Sequence, residues 1–185
     1  RADGEPGVIM SGASIQDNRV EVGVTTRYFW ADGNAGFAIS HSDEDDYDAT
    51  ALSFDASWNS ADNSRTWSSS FSTSQDNVQP TQGVIPVFIN SDELDTQSAY
   101  FGVSQILSKT AVARIGLNYT YSEGYLSDPY KLMDTRPGTH ERLSLSLGYR
   151  RFLIDFDASL QADYRYYADS WGTDSHALEL GWAQN

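Results

Sequence analysis

Cysteine is absent from the 185 residues, which removes disulfides, thiolate metal sites and cysteine nucleophiles together. Also absent is any apolar run near the roughly 18 residues that a membrane-crossing helix requires. That second absence says nothing about strands, because a barrel strand alternates lipid-facing and lumen-facing residues and averages out as polar. Basic residues are scarce: 12 Lys+Arg stand against 26 Asp+Glu, a net charge of −14. Nucleic acid is therefore a poor partner, since phosphate binding needs basic patches. The sequence opens on Arg1-Ala2-Asp3-Gly4 with neither an initiator Met nor an apolar signal segment, which predicts a mature or truncated chain. Helical periodicity is nearly missing.

What is present is period-two alternation, repeated about nine times. From Ala111 to Ser122 one face reads Ala111, Ala113, Ile115, Leu117, Tyr119, Tyr121 and the other Val112, Arg114, Gly116, Asn118, Thr120, Ser122. Leu143, Leu145, Leu147 and Tyr149 then alternate with Arg142, Ser144, Ser146, Gly148 and Arg150. Ala158, Leu160, Ala162, Tyr164 and Tyr166 alternate with Asp157, Ser159, Gln161, Asp163 and Arg165, and Leu178, Leu180 and Trp182 with Ala177, Glu179 and Gly181. Earlier strands are predicted at Val20–Trp30, Ala35–His41, Asp48–Trp58, Arg65–Ser74 and Thr96–Ser108.

These strands are long, about ten to thirteen residues, as a tilted bilayer crossing demands. Strands of soluble sandwiches run nearer five or six. Aromatics make up 13% of the chain, with 11 Tyr and 5 Trp, and they collect toward strand ends where interfacial girdles form. Short connections (Ala31–Asn34, Asn59–Ser64, Ser108–Thr110, Ile154–Phe156) alternate with long ones (Ser42–Tyr47, Gln75–Asp95, Gly124–His140, Ser170–Asp174), as periplasmic turns alternate with extracellular loops. The fold class is all-β: an antiparallel up-and-down meander over a single domain, 1–185, forming part of a transmembrane outer-membrane β-barrel. Nine strands is odd where bacterial single-chain barrels use even numbers, so strands are expected before Arg1 and after Asn185.

Several stretches carry a family resemblance. They are Met10–Ile15, Thr26–Phe29, Gly102–Lys109, Gly124–Lys131 and Asp163–Gly172, the last running on through Ser175–Leu180. In this order, and over almost the whole chain, they resemble DUF3570, a family of unknown function regarded as outer-membrane β-barrels. The resemblance implies fold and location, and members longer than this chain. It implies no catalytic residues.

Residue chemistry offers several candidate sites. The acidic run Asp43, Glu44, Asp45, Asp46 offers hard oxygen ligands suited to calcium, but it lacks the EF-hand pattern and its Gly, and it reads rather as a solvated charged loop. His41, His140 and His176 are expected at the surface near the loop ends; no Gly-x-Ser-x-Gly elbow accompanies them, and no cofactor is called for. Arg114, Arg142, Arg150, Asp157, Asp163, Arg165 and Glu179 share the predicted lumen face. They read as a pore lining that sorts solutes or as a cross-strand ion-pair ladder. The loop Gly124–Lys131 reads as a partner-binding or plugging segment, or as an ordinary Ser-Asp-Pro turn. The expectation is a non-enzymatic barrel of the Gram-negative outer membrane, a channel or envelope scaffold whose partners are outer-membrane lipid and other envelope proteins. The alternatives are a soluble secreted all-β binding module and a barrel-embedded hydrolase.

Overall fold

The structure is a computed structural model that describes residues 18–80, 92–129, 131 and 134–184. Nine strands form one sheet in sequence order: β1 Val20–Trp30, β2 Gly33–Asp43, β3 Tyr47–Asn59, β4 Arg65–Val78, β5 Asp92–Ser108, β6 Ala111–Gly124, β7 Thr139–Leu153, β8 Ala158–Asp169 and β9 Asp174–Gln184. Every neighbouring pair is antiparallel, so the chain is an all-β up-and-down meander, as its alternation predicts. Among the described residues β1 and β9 do not pair with each other, and the sheet is open. Met10–Ile15, most of the β4–β5 connection, Tyr130 and Asn185 lie outside the described residues.

Successive side chains of a strand point to opposite faces, so the register decides which residues share a face. One rung runs Phe37, Phe54, Phe71, Ala99, Tyr119, Leu143. The next but one on that face runs Trp58, Trp67, Val103, Ile115, Leu147, Tyr164, Leu178. Ile115, Leu117, Leu143, Leu145, Leu160 and Leu178 all fall on this apolar face. The opposite face is small and polar, with a rung of Ser53, Ser72, Ser98, Thr120, Arg142 and Asp169.

No interior covers the apolar face. Phe54 is 50% exposed, Ile115 48% and Leu178 68%, while the buried side chains among the described residues are Ala158, Ser42, Pro80 and Ser122. Aromatics mark both ends of the apolar band. At one end Trp58 stacks on Trp67 with ring centres 6.5 Å apart, and Phe156 meets Trp182 edge-on at 6.4 Å. At the other, Tyr119, Tyr121 and Tyr166 donate their hydroxyls to Glu141, Glu123 and Asp174.

The connections correct the expected alternation. The segments 79–91 and 125–138 are long, but the β2–β3 and β8–β9 connections shrink to 44–46 and 170–173, as short as the turns at the opposite end. Strands reach past the apolar band there: β4 extends to Val78 and β5 starts at Asp92, with residues polar on both faces. Tyr47 donates to Asp76 across β3 and β4 in this extension.

Candidate functional site

The polar face is built from serine, threonine and glycine, and its charges gather on β6 to β9. Six of the seven residues assigned to it from sequence lie there: Arg114, Arg142, Arg150, Asp163, Arg165 and Glu179. Asp157 does not. The turn Ile154–Phe156 uses up three residues before β8, and Asp157 closes it at φ 44° and ψ 47°, its N–H donating to the Ile154 carbonyl. Aspartate tolerates that left-handed conformation better than most residues, which explains its place there.

Long side chains reach across a strand at two glycines, Gly148 and Gly36. Arg114 on β6 meets Asp163 on β8 at 3.4 Å, passing over Gly148 of β7. A Cβ at Gly148 would stand 2.9 Å from Asp163 Oδ1 and 3.2 Å from Arg114 Nε. The same device recurs on β1–β3, where Arg27 bonds both carboxylate oxygens of Asp55 at 2.8 Å across Gly36. Tyr100 lies in like fashion over Gly102 and Gly116. A depression of about 750 Å³ opens here, lined among others by Tyr100, Arg114, Arg150, Asp163, Arg165 and Glu179.

The expected cross-strand ladder is thus reduced to one ion pair among these six residues. Arg142 donates to the Ser122 hydroxyl at 3.0 Å, and Gln161 to Asp163 at 2.6 Å. Arg150, Arg165 and Glu179 make no ion pair among the described residues.

At the loop end of β7–β9 sits a cluster that sequence reasoning did not foresee. Asp169 accepts the N–H groups of Trp171 and Thr173 on one oxygen and the Tyr167 hydroxyl on the other. His140 stacks on Trp171 with ring centres 3.8 Å apart and stands 3.2 Å from Asp169, without the alignment of a hydrogen bond. Arg136 covers Trp171 at 5.9 Å, and the indole N–H bonds the Thr139 carbonyl. His140 is therefore half-buried and not the surface residue expected, its side chain only 13% exposed. His41 and His176 are exposed, each beside its own aspartate, Asp48 and Asp174. The three histidines stand on β2, β7 and β9 and do not converge.

The acidic run does not converge either. Asp43 ends β2, Glu44 to Asp46 form the turn, and Glu44 pairs with Arg19 at 3.3 Å. Among the described residues no three His, Asp or Glu side chains are placed to hold a metal ion. In 125–138, Lys131 donates its N–H to the Asp128 carbonyl and Asp128 its own to the Asp134 carboxylate, so the Ser-Asp-Pro segment does form a turn. That bond, with Arg136 beside it, holds the Asp134 carboxyl below its ordinary range.

These observations define a class: an open antiparallel meander, apolar on one face and polar on the other, with charges grouped on the polar side. The chain belongs to the family described as protein of unknown function (DUF3570), whose model matches residues 2–185. No curated protein sequence matches the chain.

Proposed function

We propose that this chain is a membrane-spanning part of an outer-membrane β-barrel, non-enzymatic, serving as a channel or as the scaffold of an envelope complex. The observation that carries the reading is the uncovered apolar face, continuous over nine strands with almost no buried apolar side chain behind it. In water such a face is a severe liability, since soluble proteins rarely expose contiguous apolar patches above a few hundred Å². In hydrocarbon it needs no cover. The aromatics at both ends of the band suit the two membrane interfaces. The open edges β1 and β9 need partners in lipid, because an unmet backbone group there costs several kcal/mol. Further strands, from the same protein or from another subunit, fill that role in this reading.

The test is heat-modifiable migration of the full-length protein on unboiled SDS gels after folding into lipid. A faster folded band that shifts on boiling supports the barrel. Identical migration, with the protein remaining in the aqueous fraction, contradicts it. The non-enzymatic part is tested by replacing His41, His140 and His176 together with Gln. Loss of a measurable hydrolytic activity with folding intact would overturn it.

A further inference from the structure

We infer that the polar face of β6–β8 holds a binding site for anionic solutes, specifically for oxyanion groups such as carboxylate or phosphate, centred on Arg150 and Arg165. This rests on the barrel reading and names the class of solute that the polar face receives. Three successive polar-face positions of β7 (Arg150, Gly148 and Ser146) each belong to a rung that brings up one guanidinium. β7 itself supplies Arg150, β6 supplies Arg114 opposite Gly148, and β8 supplies Arg165 opposite Ser146. Such rungs stand about 7 Å apart along the strand.

The three guanidinia are not equivalent. Arg114 is occupied by Asp163, whose other oxygen accepts from Gln161. Arg150 and Arg165, one rung to either side, are exposed and have no hydrogen-bond or ion-pair partner among the described residues. Glu179, one strand beyond Asp163 on the same rung, pairs with neither. The chain has 26 acidic residues to 12 basic ones, so two guanidinia left without a carboxylate stand out against the overall balance.

Glycine makes the room. Gly102 and Gly116 lie on the rung of Arg165 and Gly148 on that of Arg114; all three line the 750 Å³ depression, and they let Tyr100 and the Arg114–Asp163 pair lie flat on its floor. Ser104 and Tyr100 add hydroxyl donors around it, while the Ser146 hydroxyl donates to the Gly116 carbonyl. Among the described polar-face residues every long cation is Arg and none is Lys. A planar guanidinium fork meets a carboxylate or phosphate with two parallel N–H···O bonds, which an ammonium cannot do.

The test uses full-length protein in planar bilayers under a potassium chloride gradient, comparing wild type with Arg150→Ser/Arg165→Ser. The expected result is an anion-favouring wild type whose chloride-to-potassium permeability ratio falls about threefold or more in the double variant. Arg151→Ser, next along β7 but on the apolar face, is expected to leave the ratio alone. Equal ratios in wild type and double variant, with currents present, overturn the site and leave the channel standing. If the full-length protein carries no current, the channel is what fails, and equilibrium binding of radiolabelled inorganic phosphate to the detergent-folded protein decides the site. Saturable binding that the double variant loses, and that Arg150→Lys/Arg165→Lys weakens, supports it. Absence of binding, or equal binding by the double variant, overturns it. Heat-modifiable migration of each variant verifies that it has folded.

Discussion

Glycine plays two different parts here, and substitution separates them. At Gly36 the nearest atoms an added Cβ would meet are the side-chain tips of Arg27 and Asp55, each 2.6 Å away. Those tips can swing aside, so Gly36→Ala should cost no more than an exposed ion pair is worth, which is little. At Gly124 the backbone holds φ at +122°, and a Cβ would strike the Glu93 carbonyl of β5. Neither the dihedral nor the carbonyl can yield cheaply, so Gly124→Ala should lose roughly 1–3 kcal/mol. Urea midpoints in detergent read the contrast, and equal losses would show that the cross-strand pairs are rigid. A second residue test lies in the β3–β4 turn. The Ser60 hydroxyl, then the Ser64 N–H, bond the Asp62 carboxylate and hold it down at about 2. Bonds to the ionised form stabilise the folded turn fully above the ordinary carboxyl range, and that contribution is lost as pH falls through about 2. Carbon-detected NMR titration should place the Asp62 midpoint there, and Ser60→Ala should raise it.

Elements differ in how plainly the sequence announces them. β6 is readable because Ala111 to Tyr121 supplies an apolar residue at every second position against Arg114, Asn118 and Ser122. The loop-end halves of β4 and β5 are not readable, because Gln75–Val78 and Asp92–Asp95 are polar on nearly every position and alternation has no contrast there. Parity within a strand was enough to put Arg114 and Arg165 on the polar face. Their partners were hidden, since the reach from Arg114 to Asp163 depends on the register of β7 and on Gly148 being empty. The cluster of His140, Asp169 and Trp171 was hidden for a similar reason: the 170–173 turn folds Trp171 back onto a neighbouring strand. Faces can be tested on β4, where Phe71 joins the row of Phe37 and Phe54 while Ser72 points the other way. In lipid, Phe71→Arg should cost about 2–4 kcal/mol near the midplane, and Ser72→Arg should cost far less. Equal penalties would mean that the two faces are misassigned.

At the scale of the whole molecule, the sheet reverses the soluble arrangement. Apolar residues are exposed over all nine strands, and the more crowded side is the one made of serine, glycine and charge. That reversal predicts how solvent and lipid divide between the faces, and the absence of cysteine makes the division measurable. Each single cysteine introduced along β6, with any cysteine beyond these 185 residues replaced by serine, carries a unique spin label, and electron paramagnetic resonance then compares collision with oxygen, enriched in lipid, and with a water-soluble nickel chelate. In full-length protein folded into bilayers, labels at 113, 115, 117 and 119 should favour oxygen. Labels at 112, 114, 116 and 118 should favour nickel, giving a period of two in antiphase. Nickel access at both sets of positions, or exclusion of both reagents from 115 and 117 as in a closed protein core, would contradict the account.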